Sequence, residues 1–207
     1  MKTRARWIVL AALAVSPVIT LAAETRFDLP APVLQIVTSA GQFARFAAPV
    51  RAALPGAGLD VRLRLGLQAH LALNDRDAAA ALAAGAALRA LENDPAAKAL
   101  AGLVTEAQVA SWRSGTTFSR ELTTRLAGLR PTTEITARLR SLREKITATT
   151  RENLLVEAAA LGRRLDAAGH CDWHGADEII RLHHRLANVL PIRDAMLAVL
   201  DEVIAGR

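Results

Sequence analysis

The stretch DVRLRLGLQAHLALND, residues 60–75, decides the fold because it reads two ways. Val61, Leu63, Leu65, Leu67, Ala69, Leu71 and Leu73 alternate with mostly polar residues. Strict alternation is the pattern of a half-buried strand. The residue types argue the other way. Leucine and alanine favour helix, and the β-branched and aromatic residues of strands are nearly absent. A strand also needs a partner, and no other segment offers one convincingly. The stretch is therefore expected to be helical, with Asp60 as an N-cap accepting from the first free backbone N–H groups.

The flanking sequence carries the same character outward. DRDAAAALAAGAALRALEN is helical by propensity, and Asp94-Pro95 opens a further helix expected to run to about Gly115. TTFSRELTTRLAGL predicts a short amphipathic helix ending before Arg130-Pro131. Upstream, Val33, Ile36, Val37, Ala40, Phe43, Ala47, Val50 and Leu54 recur at three-and-four spacing, the mark of one buried helical face. Pro49 lies inside that pattern and is expected to kink or split it. Downstream, Ile135, Leu139, Leu142 and Ile146 form a stripe that Leu154, Ala158, Leu161 and Leu165 continue. Unbroken, the ~37 residues would span ~55 Å, against a radius of gyration of roughly 16 Å for a compact domain of this size. A break is expected at residues 148–153, where threonines and asparagine weaken helix propensity. Gly169 reads as a C-cap. Two last helices, separated by Pro191, should be antiparallel neighbours or a kinked pair. The fold class is all-α: seven or eight helices in antiparallel pairs, as a bundle or short solenoid. No glycine/serine linker divides the chain, so residues 24–207 read as a single helical domain.

Residues 1–23 read as a secretory signal peptide. Lys2, Arg4 and Arg6 precede an uncharged, mainly apolar run at residues 7–22, and small residues follow for cleavage. The run is ~16 residues and contains Pro17, short for a spanning helix of ~20. An uncleaved N-terminal anchor is the alternative. Removing this segment takes three cations and no acid, so the net charge of +6 becomes +3. The remaining basic excess is interleaved with acids, which argues against a nucleic-acid partner. No other apolar run reaches membrane length without charge, so no span is expected in the mature chain, which should be soluble and periplasmic or secreted.

Cys171 is the single cysteine and forms no intramolecular disulfide. It is either buried and inert, or paired with another chain in a disulfide dimer. It lies in GHCDWHGADEIIRLHH, residues 169–184, with four of the five histidines. His170 and His174 are four apart, half of a zinc or copper site if both lie on one helical face. His183 and His184 are adjacent and point about 100° apart on a helix. His183 falls on the buried face with Ile179, Leu182 and Leu186. His184 falls nearer the boundary with Ile180 and Asp177. These four histidines are the candidate metal ligands, with structural packing as the competing reading. Asp172, Asp177 and Glu178 serve equally as ligands or as first-turn acids and a cap. No HExxH, paired CxxC, haem-attachment CxxCH, GxSxG elbow or glycine-rich phosphate loop is present. The Arg138, Arg140, Arg143, Lys145 and Arg151 series reads as a solvated face, with Glu134–Arg138 and Arg140–Glu144 as four-residue pairs.

LGLQAHLALNDRDAAAALAAGAALRALENDP, residues 65–95, resembles one tetratricopeptide-type helical hairpin. Leu65-Gly66 is similar to the LG of that repeat's first helix. Ala90-Leu91-Glu92-Asn93-Asp94-Pro95 resembles the ALExDP that closes the second. The spacing is about five residues longer than the standard unit, Ala69 stands near the place of the usual aromatic, and no later segment repeats the pattern. The resemblance implies a helical protein-interaction scaffold. The sequence thus points to an exported, non-enzymatic helical protein acting on an unidentified protein partner through a groove, without a cofactor. The alternative is a periplasmic metal-binding protein holding zinc or copper on the C-terminal histidines.

Overall fold

The structure, a computed structural model, describes residues 25–129 and 132–206; the leader-like segment lies outside the described residues. The decisive stretch is helix α3 (Val61–Asn74). Asp60 caps it, its carboxylate accepting from the backbone N–H of Arg62 at 2.9 Å and Leu63 at 3.3 Å. The alternation that imitates a strand has a physical cause. Helix α3 packs on α4 (Ala78–Ala90) on one side and on α10 (Trp173–His184) on another. Leu67, Ala69, Leu71, Ala72 and Leu73 are all buried. A helix covered on several faces carries apolar residues around its circumference, which blurs the 3.6-residue period.

Two helical groups build the core. The first joins α1 (Val33–Thr38), α2 (Ala40–Ala53), α3, α9 (Arg151–Ala168) and α10 through side chains such as Ile36, Phe46, Leu67, Leu154 and Ile179. The second joins α5 (Pro95–Leu100), α6 (Leu103–Ser114), α7 (Phe118–Ala127), α8 (Thr133–Ala148) and α11 (Arg193–Ile204) through Ala107, Leu122, Leu139, Met196 and Leu200. Each large apolar side chain buried here contributes about 1.5–3 kcal/mol. A small cluster of Ala72, Leu73, Ala81 and Val109 connects the groups through α3, α4 and α6. Among the described residues there is no strand. An isolated antiparallel bridge ties Phe27 to Cys171, with the Phe27 N–H donating to the Cys171 carbonyl at 2.8 Å.

The fold is all-α as read from sequence, and two breaks fall where the sequence does not announce them, so that among the described residues two of the α-helical segments, α1 and α5, are short pieces of six residues. Pro49 does not split its helix. It sits on the exposed face of α2, so that its ring stays clear of the core while Phe43, Phe46, Ala47 and Val50 hold the buried face. The break falls instead at Ser39, an extended residue whose hydroxyl caps α2. Helix α5 does not run on to Gly115: it ends at Leu100, and Gly102 takes φ +81° before α6 begins. The last two helices form the kinked pair that the short connection through Pro191 allows, rather than antiparallel neighbours. Helix α10 passes into a π turn (Arg185–Val189) and a 3₁₀ turn (Leu190–Ile192) before α11. Pro191 has no N–H for the preceding turn and its ring crowds a carbonyl there. The Arg185 carbonyl accepts from Leu190 N–H five residues on, the π pattern.

The break between α8 and α9 falls where the threonines predict it. Thr150 is extended and caps α9, accepting from the Asn153 N–H at 3.2 Å. The carbonyls left at the end of α8 are satisfied from outside the helix. Asn153 donates to Ala148 at 2.8 Å, and Arg193 to Ile146 at 3.3 Å and Thr147 at 3.0 Å. Gly169 closes α9 in the left-handed region at φ +70°. The bend at Thr149 and Thr150 turns the chain from the second group into the first, and a cleft opens beside it.

Candidate functional site

The cleft has a volume of about 1060 Å³. Helix α8 forms one wall and α9 with α10 the other; α3 and the π turn complete the lining. Leu142, Ile146, Leu161, Leu182 and Val189 supply its apolar surface. Around them stand Lys145, Arg164, Arg181 and Arg185. Three of these cations are already matched. Arg164 meets Glu178 at 2.6 Å, Arg185 meets Glu157 at 2.5 Å, and Arg181 pairs with Asp177. Lys145 forms no ion pair among the described residues. A second hollow of about 410 Å³ shares Leu142 and Lys145 with the cleft and extends it along α8 toward Gly102.

Two histidines lie in the cleft lining. His70 of α3 and His184 of α10 have ring centroids 5.2 Å apart, tilted by 55°. His184 is 7% exposed and His70 is partly buried. The Nδ1 of each ring is sealed from solvent and has no hydrogen-bond partner. Burial pushes the His70 imidazole down to about 4, and the Arg181 charge pushes the same way against the Gly66 carbonyl. Burial pushes His184 down to about 3, helped by the neighbouring His70 and His183. Both rings are therefore neutral near pH 7, each with one N–H and one lone pair. Leaving such a group unpaired costs about 1–3 kcal/mol.

The four histidines singled out in the sequence go to three places. His170 precedes α10 rather than lying on it, so the four-residue spacing to His174 is not helical. Its Nδ1 sits 2.9 Å from the Ala168 carbonyl. His174 is exposed. The two share a shallow hollow of about 240 Å³ with Asp172 and Glu178. Both acids are engaged elsewhere: Asp172 caps α10 by accepting from Gly175 N–H at 2.8 Å, and Glu178 holds Arg164. His183 is buried, stacked on Phe43 at 3.7 Å, with Nδ1 2.8 Å from the Val37 carbonyl. His184 is not at the boundary but buried against His70. Among the described residues no three His, Cys, Asp or Glu side chains group to hold a metal ion. His70 was not singled out, because one histidine on an apolar helix carries no spacing signal; its partner is 114 residues away.

Cys171 stands apart from the cleft. It is 1% exposed, and burial, with the Asp172 charge adding to it, raises its thiol to about 12. A disulfide to another chain would require this packing to open. The basic series on α8 is not a row of four-residue pairs. Arg138 reaches Asp94 at 2.7 Å and Arg143 pairs with Asp201, so both tie α8 to other elements. A further hollow of about 490 Å³ beside α3 and α4 is lined by Ala72, Ala80, Ala83 and Ala84, and its Arg51 is paired with Asp75 at 2.6 Å. No helix among the described residues is long and apolar enough to cross a membrane. Comparison with protein-family models, curated proteins and solved structures finds no match for this chain.

Proposed function

We propose that this chain is an exported, non-enzymatic helical binding protein that works by protein–protein contact, holding a segment of its partner in the cleft between α8 and the α9–α10 pair. The observation that carries this reading is the cleft itself: about 1060 Å³, open to the surface, largely apolar, and continued by a second hollow along α8. A groove of that form suits an amphipathic helix or extended peptide, whose apolar face replaces water along the floor. The tetratricopeptide-like residues 65–95 support the same class of role, and the leader-like residues 1–23 support a periplasmic or secreted location.

The test is selection of binders from a random peptide library displayed on phage, followed by affinity measurement on isolated peptides. Ala160 is exposed and lines the cleft, so Ala160→Trp fills the groove without entering the core. Ala83→Trp does the same in the hollow beside α3 and α4. Peptides with micromolar affinity that lose about tenfold or more on Ala160→Trp, and are unaffected by Ala83→Trp, support the reading. Absence of any enriched peptide, or equal binding to all three proteins, overturns it.

A further inference from the structure

Building on the groove reading above, we infer that the occupant is an apolar segment bearing one carboxylate, an aspartate or glutamate side chain, which Lys145 and the His70–His184 pair receive. The charges in the cleft select it. Arg164, Arg181 and Arg185 are matched by Glu178, Asp177 and Glu157, which leaves Lys145 as the surplus cation of the cleft lining. One negative charge complements that surplus; a second cation does not. Lys145 also lines both hollows, so a segment running along α8 from one to the other passes it.

The histidines add the second half of the recognition. His184 is 7% exposed, lines the cleft, and has an Nδ1 without a partner among the described residues; the His70 ring, with only the Gly66 carbonyl beside it, lies 5.2 Å away. A carboxylate oxygen accepts from a ring N–H, and a charge-assisted hydrogen bond of that kind is roughly twice as strong as a neutral one. The leucine, isoleucine and valine surface around them accounts for the apolar body of the segment. A metal ion fits less well, because the guanidinium of Arg181 already disfavours positive charge at His70.

The experiment uses the whole chain and two fluorescein-labelled helical peptides of leucine and alanine, roughly 14 residues long, one with a single central glutamate and the other with glutamine there. Fluorescence anisotropy should give an affinity about tenfold higher for the glutamate peptide, with the preference lost in Lys145→Met and reduced in His184→Phe. Imidazole ¹⁵N spectra should show the His70 and His184 rings shifting with the glutamate peptide only. Equal binding of both peptides, abolished by Ala160→Trp, would leave the groove standing and remove the carboxylate. Binding of neither peptide would remove this proposal, while phage-selected peptides would still decide the groove. Ring shifts of the same size with millimolar acetate alone would mean a free-anion site and overturn the peptide assignment.

Discussion

His70 and His184 meet across the interface of α3 and α10 with ring centroids 5.2 Å apart, and neither Nδ1 has a partner. Acid should therefore act on the fold through this pair. Their folded pKa values, about 4 and about 3, lie below the ordinary 6.5. Below pH 6.5 the unfolded chain binds more protons, so stability is full above that pH and is lost as pH falls toward 4. Asp177 works in the opposite sense, because burial raises its carboxyl and the folded state takes that proton first. Arg181 limits that shift, so the histidines dominate, and His183, which burial also lowers against the Val37 carbonyl, adds to the pair in the same sense. Urea unfolding should show a loss on the order of several kcal/mol between about pH 7 and pH 4. His70→Leu with His184→Leu should remove most of the dependence and leave the part that His183 carries. An unchanged slope in the double variant would show that other groups govern acid stability.

His183 is a structural residue by every contact it makes. Its ring lies flat on Phe43, 3.7 Å between centroids. Its Nδ1 is 2.8 Å from the carbonyl of Val37 in the last turn of α1, where the helix has no N–H left to offer. The hydrogen bond requires the proton on Nδ1. His183→Ala removes the stack and strands the carbonyl, and should cost about 2–4 kcal/mol in urea unfolding. His183→Phe keeps the stack and should cost about 1–2 kcal/mol. Equal costs for the two would mean that the hydrogen bond contributes nothing.

Local chemistry was legible in the sequence, and assembly was not. Asp60 and Asp94 cap helices as read, because a cap depends on three or four consecutive residues. The bend at Thr149–Thr150 was legible for the same reason. Whether Pro49 splits its helix is not legible, because its tolerance depends on which face of α2 is covered, a tertiary fact. The π turn was missed because Pro191 announces a disturbance but not whether the chain ends its helix or widens a turn. The cleft escaped for a further reason. Its residues come from α3, α8, α9, α10 and the π turn, and each alone looks like surface charge or core packing. The histidine-rich segment is dense in potential ligands, yet only His184 of its four histidines lines the cleft.

Cys171 should be inert in the folded protein. A shift from 9.0 to about 12 lowers the thiolate fraction by about a thousandfold near pH 8, before the steric effect of 1% exposure is added. Reaction with a thiol-specific disulfide reagent should be slow in buffer and immediate in guanidinium chloride. The protein should also run as a monomer on non-reducing gels after purification without reductant. Rapid labelling of the folded chain would show that the Phe27–Cys171 bridge opens readily, and would revive the disulfide dimer as an arrangement to test.

Two glycines on either side of Arg89 should respond to alanine with opposite signs. Gly85 lies inside α4, and a Cβ there meets no atom within 4 Å. Gly85→Ala removes freedom from the unfolded chain at no packing cost and should stabilise by about 0.5–1 kcal/mol. Gly102 holds φ +81° at the turn between α5 and α6, where Arg89 donates to the Ala101 carbonyl at 2.7 Å and pairs with Glu106. A Cβ at Gly102 would lie 3.0 Å from the Arg89 Nη2. Strain and crowding combine there, so Gly102→Ala should destabilise by about 1–3 kcal/mol. Thermal unfolding of the two variants beside the parent chain reads both signs at once. A Gly102→Ala protein as stable as the parent would mean that the turn relaxes to negative φ without disturbing Arg89. The break between α5 and α6 would then be set by Ala101, the extended residue before it, rather than by the glycine.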